Sequence, residues 1–413
     1  MNRACRLCQG TEFKEVIDFG RTPLVNSLLA KEECGTEQAY PLVVEQCQTC
    51  FLVQIVNPVN SEKIYQEQDY LYYTGDMPQN SQYMKAFDSL VTDIQRYSSD
   101  GDFTVEIGSN DGSILKKVQG RKILGVDPAI NVVIRALSRG VPTLAAPFNK
   151  HNAEIIAGEF GKAQVIGGAN CLAHIDDIRG VLTGVTALLH DNGVFWVECN
   201  YWGGMVKSKH YALIYHDHYS YYTLKNWVDL LKKYDMEVFD ALITEAQGTG
   251  LSLRLFACRN LASQKNNRQP TDRFLSLARE EETTHLNSYD TAKKYREDVL
   301  AEAQKLGDLV RKLANEGKVI AGYGAAAKGF SILHLAKITG DHIKFFVDDS
   351  PAKQGKYTPI THIPVLARAD VKELPDYFFI TAPNYEDVII GKEQEFLKAG
   401  GKFITADGRV ISA

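Results

Sequence analysis

The sequence has no long apolar run, and no stretch approaches the roughly 20 residues that a membrane-spanning helix requires. It begins MNRACRLC, without the apolar segment of a secretory signal. It also lacks an excess of positive charge, because 46 Lys and Arg stand against 51 Asp and Glu. That balance argues against nonspecific nucleic-acid binding. We therefore expect a soluble, cytoplasmic protein with neither a membrane nor a nucleic acid as its partner.

The 413 residues exceed one ordinary hydrophobic core and predict two to four domains. Eight cysteines in a cytoplasmic chain indicate metal ligands or buried thiols rather than disulfides. Cys5 and Cys8 form one CxxC pair, and Cys47 and Cys50 form a second. Four thiolates can hold one tetrahedral Zn²⁺ with no open position, which predicts a structural metal site. The alternatives are two unrelated buried pairs, or a zinc ribbon for nucleic acid, although this region lacks a Lys/Arg cluster.

A regular alternation of strands and helices follows from residue 103. Such alternation predicts a doubly wound parallel sheet. The last two strands have no helix between them and should pair antiparallel at the sheet edge. Five parallel strands followed by a hairpin is the arrangement of class I S-adenosylmethionine (SAM) methyltransferases. The predicted strands are 104–108, 122–126, 143–145, 164–168, 193–199, 237–243 and 252–259, and the predicted helices are 113–119, 131–139, 152–158 and 176–190.

The turn after the first of these strands favours SAM over NAD. Gly108 and Gly112 form GxxxG, whereas the dinucleotide fingerprint is GxGxxG. Asn110 and Asp111 suit a cationic sulfonium better than phosphates, and Asp127 ends the second strand, where a carboxylate can accept ribose hydroxyls. The predicted cofactor contacts are Glu106, Gly108, Ser109, Asn110, Asp111, Asp127, Pro128 and Asn170.

Histidines and tyrosines follow the fourth and fifth strands, at the edge where such sheets bind ligands. His174 lies in GGANCLAHIDD, and YHDHYSYYT follows further on. In an extended stretch His216 and His218 would share one face, with Tyr215 and Asp217 on the other. Half of a metal site is one alternative, but no third ligand is obvious. Beside a methyl donor, acid–base catalysis is the preferred interpretation.

A tyrosine-rich segment precedes the sheet and includes Tyr70, Tyr72 and Tyr73 before the turn residues Thr74 and Gly75. Aromatic clusters often serve packing alone. Buried tyrosine hydroxyls need partners, however, so a lid or pocket wall for a polar ligand is an equal alternative.

Near the C-terminus, VIAGYGAAAKG and FFVDD outline a second strand–turn–helix. Gly322, Gly324 and Lys328 lie on a loop that opens a helix, where anions bind. The region could hold the pyrophosphate of a nucleotide, bind NAD, or be a vestigial nucleotide fold used for packing. The predicted domains are a zinc-binding domain with the tyrosine-rich segment (1–75), a SAM domain (76–260), a helical connector (261–318) and a Rossmann-like domain (319–413).

Several motifs occur together in one order: CxxC…CxxC with PLVVEQCQTCFLVQ, VEIGSNDGSIL, NxxAH, YHxHxSYxT, SLR and AGYGAAAKG…VDDSPAKQGKY…IP. With them the chain resembles the sugar C-methyltransferases that act on nucleotide-linked 4-keto deoxysugars, over nearly its whole length. It departs from the usual family pattern in three places. Asp217 replaces Glu in YHEH, QGTGLSLR replaces HGGSLR, and Asn200 replaces the proline of PY.

The resemblance implies that His218 removes the proton at sugar C3, which the C4 ketone acidifies. Tyr215 and His174 would bracket the ketone or its enolate oxygen, with Asp217 at the position of the family's glutamate. A tyrosine such as Tyr73 would close over the sugar. The substrate contacts expected with these catalytic residues are Tyr72, Tyr201, His216, Lys328 and Tyr323.

The expected function is SAM-dependent C-methylation at C3 of a dTDP- or GDP-linked 4-keto-deoxyhexose, with structural zinc. The alternatives are a sugar O-methyltransferase of the same fold and an NAD-dependent nucleotide-sugar reductase or epimerase. The expected oligomeric state is a monomer or small homo-oligomer.

Overall fold

The computed structural model describes residues 4–25, 28–65, 70, 72–77, 81–247, 250–259 and 268–413. By their contacts the residues fall into two units, each built from three segments. The predicted domains were continuous segments, whereas both units combine segments that are distant in sequence. Unit 1 comprises Met1–Glu15, Glu45–Met205 and Tyr219–Ala292, and unit 2 comprises Val16–Val44, Val206–His218 and Lys293–Ala413.

The described strands form three sheets. A four-stranded sheet has the order β1-β2-β3-β9, a large seven-stranded sheet has β10-β11-β8-β7-β4-β5-β6, and a six-stranded C-terminal sheet has β14-β13-β12-β15-β16-β17. In chain order the strands are β1 Phe13–Thr22, β2 Tyr40–Cys47, β3 Val53–Ile55, β4 Phe103–Ile107, β5 Lys122–Asp127, β6 Thr143–Ala145, β7 Ala163–Ala169, β8 Leu189–Asn200, β9 Ser220–Tyr221, β10 Met236–Gln247, β11 Gly250–Arg259, β12 Ile320–Tyr323, β13 Phe346–Val347, β14 Val365–Leu366, β15 Tyr377–Ile380, β16 Lys402–Ile404 and β17 Val410–Ile411.

The helices lie between these strands and in the predicted connector, whose first residues, 261–267, lie outside the described residues. None of the described helices is both long enough and apolar enough to cross a membrane. In chain order they are α1 Ser61–Tyr65, α2 Gln82–Arg96, α3 Ile130–Ser138, α4 Lys150–Phe160, α5 Ile178–Leu188, α6 Trp202–Ser208, α7 Leu224–Lys232, α8 Asp272–Thr283, α9 Tyr289–Asn315, α10 Ala327–Leu335, α11 Glu386–Lys392 and α12 Gln394–Lys398.

The large sheet of unit 1 confirms the predicted class I methyltransferase topology. Strands β4 to β8 pair in parallel, and β10 and β11 form the antiparallel pair beside β8. The helix predicted at 113–119 is wrong, because the structure has only a 3₁₀ turn at Leu115–Lys117. The Lys117 and Val118 amides each bond to the carbonyl three residues earlier, at 2.9 and 3.0 Å, which is the 3₁₀ pattern and does not continue into an α-helix.

Helix α2 covers one face of this sheet and was not anticipated from the sequence. Ser81 caps its N-terminus by accepting a hydrogen bond from the Met84 amide at 3.3 Å. The apolar side of α2, including Tyr83 and Phe87, joins Trp196 and other sheet residues in one core cluster. Burying that side stabilises both elements.

The C-terminal sheet of unit 2 is a smaller version of the same design. Strands β12 to β16 pair in parallel, and β17 adds an antiparallel edge. The sequence motif VIAGYG becomes β12 and its turn, and α10 follows. The predicted Rossmann-like arrangement is present.

Candidate functional site

The turn after β4 brings the backbone of residues 108–112 to the carboxyl edge of the large sheet. Gly108, Asn110 and Gly112 all have positive φ, between 50° and 74°. A Cβ on Gly108 would lie 2.4 Å from the Cβ of Cys171, so the position requires glycine. The left-handed turn points this edge of the backbone at the region where a cofactor binds in such folds.

Asp127 ends β5 and faces the same turn. Its carboxylate accepts hydrogen bonds from the amides of Asn110 and Ala129, both at 2.9 Å. Burial raises the pKa of Asp127 to about 6. Burial also raises the pKa of Glu106 well above its ordinary value, and the negative charges of Asp127 and Asp111 add to that shift. Each Asp127 oxygen keeps a second lone pair, which suits the two hydroxyls of a ribose.

The residues around this turn fit SAM. Oε2 of Glu106 and both side-chain atoms of Asn170 are buried and have no hydrogen-bond partner in the described part of the chain. Asn170 has a φ of 54°, and its amide bonds to the Glu198 carbonyl at 2.7 Å, which fixes it at the end of β7. Buried polar atoms without partners at this edge of the sheet can bond to the ammonium, carboxylate and adenine groups of SAM. Glu106, Asp127 and Asn170 are the side chains that would hold the cofactor.

The predicted role of Asp111 as a partner of the sulfonium is not supported. This carboxylate is fully buried, accepts a hydrogen bond from the Gly75 amide at 3.0 Å, and pairs with Arg139. Asn110 contacts the same segment, because its side-chain oxygen accepts a hydrogen bond from the Thr74 amide at 3.0 Å. Both side chains therefore fix the tyrosine-rich segment to the turn after β4. The other expected contacts of this turn, Ser109 and Pro128, stay predictions.

The tyrosine-rich segment contacts two helices of unit 1. The Tyr72 hydroxyl lies 2.7 Å from the Tyr83 hydroxyl on α2. The Tyr73 hydroxyl accepts a hydrogen bond from Asn131 on α3 at 2.8 Å, and the Arg135 guanidinium carbon lies 4.3 Å from the centre of the Tyr73 ring. The segment is thus held on both sides by specific polar contacts, which supports its interpretation as a wall of the cofactor region.

The YHDH stretch of unit 2 is a turn rather than the predicted extended segment. The His218 amide bonds to the Tyr215 carbonyl at 3.0 Å, which brings residues three apart to the same side. As a result the Tyr215 hydroxyl lies 3.1 Å from Nε2 of His218, and the two ring centres are 4.3 Å apart. The prediction that Tyr215 and His218 point to opposite faces is wrong, because a period of two applies only to extended backbone.

The other nitrogen of His218 fixes its tautomer. Nδ1 lies 2.6 Å from the Leu213 carbonyl, an acceptor that requires a proton on Nδ1. Nε2 then carries the lone pair, and the Tyr215 hydroxyl can donate to it. A histidine with a protonated Nδ1 and a basic Nε2 is the arrangement expected of a general base.

The predicted substrate contact of His216 stays a prediction, since Nδ1 is buried without a partner among the described residues while the rest of the ring packs against the protein. His216 is fully buried, its Nε2 lies 3.3 Å from the Tyr40 carbonyl, and its ring packs edge-on against the Tyr40 ring. Burial lowers its pKa, so it packs as a neutral side chain. The neighbouring Asp217 is also buried. A metal site at the HxH is not supported among the described residues, where the cysteines form the only cluster of three or more candidate ligands.

His174 lies in a 3₁₀ turn of unit 1 after β7. Burial lowers its pKa to about 4, so its ring is neutral at neutral pH. A neutral ring can donate a hydrogen bond to a ketone without carrying a charge into the site. Tyr201 was a predicted substrate contact, and the structure places it elsewhere. It is buried, and its hydroxyl bonds to Glu281, whose carboxylate also accepts the Leu224 amide of α7.

The four cysteines of the two CxxC pairs meet in unit 1. Their sulfur atoms all lie within 4.8 Å of one another, which suits four ligands around one tetrahedral Zn²⁺. The Gly10 and Thr49 amides lie 3.3 and 3.4 Å from the sulfurs of Cys8 and Cys47, as in zinc knuckles. Gln9 and Phe51, which follow the two pairs, have the positive φ that tight knuckles require. The residues fit structural zinc.

The C-terminal sheet places its candidate residues in different environments. Lys328 lies in the first turn of α10, and burial lowers its pKa to about 7. The Ala325 and Ala326 amides of the same loop already donate, to Asp348 and to the Gly324 carbonyl. The Tyr323 hydroxyl is buried and bonds to Glu393 at 3.2 Å, so its predicted substrate contact is not supported. Lys328 alone stays a predicted pyrophosphate contact.

Sequence reasoning missed the residues that hold the tyrosine-rich segment. Asn131, Arg135 and Arg139 lie on or just after α3, and they contact Tyr73, Asp76 and Asp111 respectively. Two arginines four residues apart on a predicted helix were a visible signal, because such residues share one face. Their acidic partners are too distant in sequence to be identified from spacing.

Comparison with known proteins gives consistent matches along the chain. Family models match a zinc binding domain at residues 5–65, a methyltransferase domain at 81–241 and a C-methyltransferase C-terminal domain at 247–406. The C-methyltransferase NovU of Streptomyces niveus is 34% identical over 416 residues, which cover 99% of this chain and 97% of that protein.

Solved structures are more distant. Magnesium protoporphyrin IX methyltransferase (ChlM) from Synechocystis PCC 6803 with bound SAM matches with a TM-score of 0.34 and 13% identity, over 48% of this chain and 89% of that one. N-methyltransferase NodS from Bradyrhizobium japonicum WM9 matches with a TM-score of 0.34 and 11% identity, over 47% of this chain and 100% of that one.

Proposed function

This chain belongs to the C-methyltransferase family as a SAM-dependent methyltransferase with a structural zinc site, and we propose that it methylates C3 of a nucleotide-linked 4-keto-deoxyhexose. The observation that carries the proposal is the state of His218. Its Nδ1 is bound to the Leu213 carbonyl, which leaves Nε2 basic next to the Tyr215 hydroxyl. Carbon methylation requires a base of this kind, because the acceptor carbon must first lose a proton.

The residue roles follow from the chemistry of a ketone. Nε2 of His218 takes the C3 proton, which is acidic because the negative charge moves onto the C4 oxygen. On substrate binding the Tyr215 hydroxyl would turn its proton from Nε2 to the C4 oxygen, and the neutral His174 ring would donate a second hydrogen bond to that oxygen as its charge develops. When bound, SAM would supply an electrophilic methyl group to C3, with S-adenosylhomocysteine as the leaving group. Asp217 and Tyr73 complete the proposed catalytic set, and Lys328 would contact the nucleotide pyrophosphate.

The decisive experiment is hydrogen exchange at C3 in deuterated water without SAM. With a dTDP- or GDP-linked 4-keto-6-deoxyhexose, we expect deuterium at C3, followed by a mass increase of one methyl group once SAM is added. Methylation without prior exchange would instead indicate an O-methyltransferase. A requirement for NAD without affinity for SAM would overturn the proposal.

His218→Ala should abolish both exchange and methyl transfer, with turnover at least about 10²-fold lower, the range expected for loss of a general base. Affinity for S-adenosylhomocysteine should be retained. Tyr215→Phe is the matched variant, since it keeps the ring against His218 and removes only the hydroxyl. A decrease of less than about tenfold for His218→Ala would show that another group is the base.

A further inference from the structure

Buried polar atoms without partners occur at a second place on the large sheet. At the cofactor edge such atoms belong to Glu106 and Asn170. A separate group belongs to Thr244, Ser252 and Asn200, on the three neighbouring strands β10, β11 and β8. Single atoms of this kind also belong to Thr104, Trp196 and Glu198 of the same sheet, so one such atom does not indicate a ligand. Three residues side by side on neighbouring strands make the second group the candidate for a ligand.

The three residues form one row on one face of the sheet. The strand register places Thr244 opposite Ser252 and Ser252 opposite Asn200. Side chains directly opposite each other in antiparallel strands share a face and lie about 5 Å apart. We name these three residues the polar row. Its two hydroxyls and the nitrogen and oxygen of its carboxamide have no hydrogen-bond partner within the described residues.

Burial makes this arrangement unusual. Ser252 is fully buried and Asn200 is 3% exposed. The neighbouring row shows how the same sheet treats a polar group that serves structure alone. There Arg254 pairs with Glu198, donates to Asp93 at 2.9 Å, and donates to the Ala86 carbonyl at 2.8 Å. Each nitrogen of this guanidinium donates a hydrogen bond, although Oε1 of Glu198 has no partner within the described residues. In the polar row neither hydroxyl and neither carboxamide atom has one, and unsatisfied groups in native folds concentrate at functional positions.

The chemistry of the polar row selects hydroxyl groups rather than phosphates. Two hydroxyls and a carboxamide both donate and accept hydrogen bonds, as sugar hydroxyls do. The row brings no positive charge, and the adjacent Arg254 is already neutralised by Glu198 and Asp93. A phosphate would therefore find negative charge and no free cation in these two rows.

The polar row also lies near the cofactor edge of unit 1. The Asn170 amide bonds to the Glu198 carbonyl, and Asn200 follows two residues later on the same strand. Neighbouring strands are about 4.8 Å apart. Asn200, the first residue of the polar row, therefore lies on the strand next to β7, and Asn170, a residue that would hold SAM, directly follows β7. Trp196 and Phe256, deeper on the same face, pack in the cluster that contains Tyr83.

We propose that Asn200, Ser252 and Thr244 form the subsite that binds the ring hydroxyls of the sugar acceptor. This inference rests on the proposed function and specifies which residues distinguish one sugar from another. It gives a role to Asn200, where the sequence departs from the proline usual in the family.

The test measures how much the sugar adds to nucleotide binding. Calorimetry on the full chain saturated with S-adenosylhomocysteine gives the Kd of dTDP and of a dTDP-linked 4-keto-6-deoxyhexose, and of the GDP pair. The Kd of the nucleotide divided by the Kd of the nucleotide-sugar is the factor by which the sugar strengthens binding. Asn200→Leu and Ser252→Ala should each lower that ratio about 5- to 20-fold, the effect of one lost hydrogen bond, without changing the Kd of the nucleotide alone.

Thr104→Val is the matched control. Thr104 is a buried residue of β4 whose hydroxyl also lacks a partner among the residues described, and it should leave the ratio unchanged. Thr244→Val, which preserves shape, tests the row if Asn200→Leu fails to fold. An unchanged ratio in folded row variants would overturn the subsite alone. If the sugar adds no affinity to either nucleotide in the wild-type protein, the proposed function and the subsite both fall.

Discussion

The large sheet of unit 1 and the C-terminal sheet of unit 2 repeat one design with different outcomes. In both sheets a first strand runs into a glycine turn, and a neighbouring parallel strand ends on an aspartate. In the large sheet these are β4 and β5, ending on Asp127, and in the C-terminal sheet they are β12 and β13, followed by Asp348. Gly108 and Gly324 begin the two turns with positive φ.

The two aspartates differ in what they bind. Asp127 accepts only two backbone amides, and none of the described cations pairs with it. Asp348 accepts the Ala325 amide at 2.8 Å and pairs with Lys353 at 3.1 Å. Lys353 also donates to the Ala325 carbonyl at 3.0 Å and so occupies the turn. An acidic residue at this position therefore indicates a ligand only where the protein does not neutralise the charge itself.

The largest expected effect concerns the zinc cluster, which among the described residues occurs in unit 1 alone. Cys5→Ser should remove zinc and cost most of the folded protein, because structural zinc contributes about 10 kcal/mol or more in small domains. Zinc content and the thermal unfolding profile report the result. Cys34→Ser is the control, since Cys34 lies outside the cluster. A Cys5→Ser protein that keeps zinc and its melting temperature would contradict a structural site.

The same substitution, aspartate to asparagine, at the equivalent position of each sheet tests the comparison directly. Asp127→Asn should weaken binding of S-adenosylhomocysteine at least ~100-fold, because two charge-assisted hydrogen bonds to the ribose are lost at about 1.5–3 kcal/mol each. Asp348→Asn should leave this affinity unchanged. Isothermal titration calorimetry measures both variants. Equal losses in the two variants would mean that the sheets are not functionally distinct.

The pH dependence of cofactor binding should include the titration of Asp127. Burial raises its pKa to about 6 in the ligand-free protein, and ribose hydroxyls bind the ionised carboxylate. The contribution of Asp127 to the Kd of S-adenosylhomocysteine should therefore be constant above about pH 7, and binding should be about twofold weaker at pH 6 and about tenfold weaker at pH 5. Asp127→Asn should lack this component, so that its profile between pH 5 and 7 is less steep than that of the wild-type protein. Identical slopes in the two proteins would remove Asp127 from the site.

The smallest effect is expected at Lys353. Lys353→Met should lower the free energy of unfolding by about 1–2 kcal/mol, because it leaves the buried Asp348 without its cation. Lys392→Met is the matched control, since Lys392 and Asp349 form an exposed pair that should contribute little. Neither the wild-type protein nor this variant should bind NAD at micromolar concentration. NAD binding that Asp348→Asn removes would show that the C-terminal sheet is a ligand site after all.

Much of the fold could be predicted because its signals are local. Strand β5, for example, is predicted at 122–126 and observed at Lys122–Asp127, since a buried apolar run bounded by turn residues identifies it. Helix α2 was missed although its N-terminal signal is local, since Ser81 precedes an amphipathic run and caps the helix. The predictions for Tyr201 and Tyr323 were not supported, because their partners Glu281 and Glu393 are distant in sequence.

The sequence by itself determined the family of the chain, the zinc ligands, the glycines of the turn after β4 and the acid that follows the next strand. These features depend on residue type and short spacing, which tight turns and metal geometry constrain directly. Only the tertiary structure decided that Asp111 holds a neighbouring segment, that Tyr215 meets Nε2 of His218, and that Lys353 neutralises Asp348. These outcomes depend on which charges and hydrogen-bonding groups come within about 3 Å, and long-range packing sets those distances.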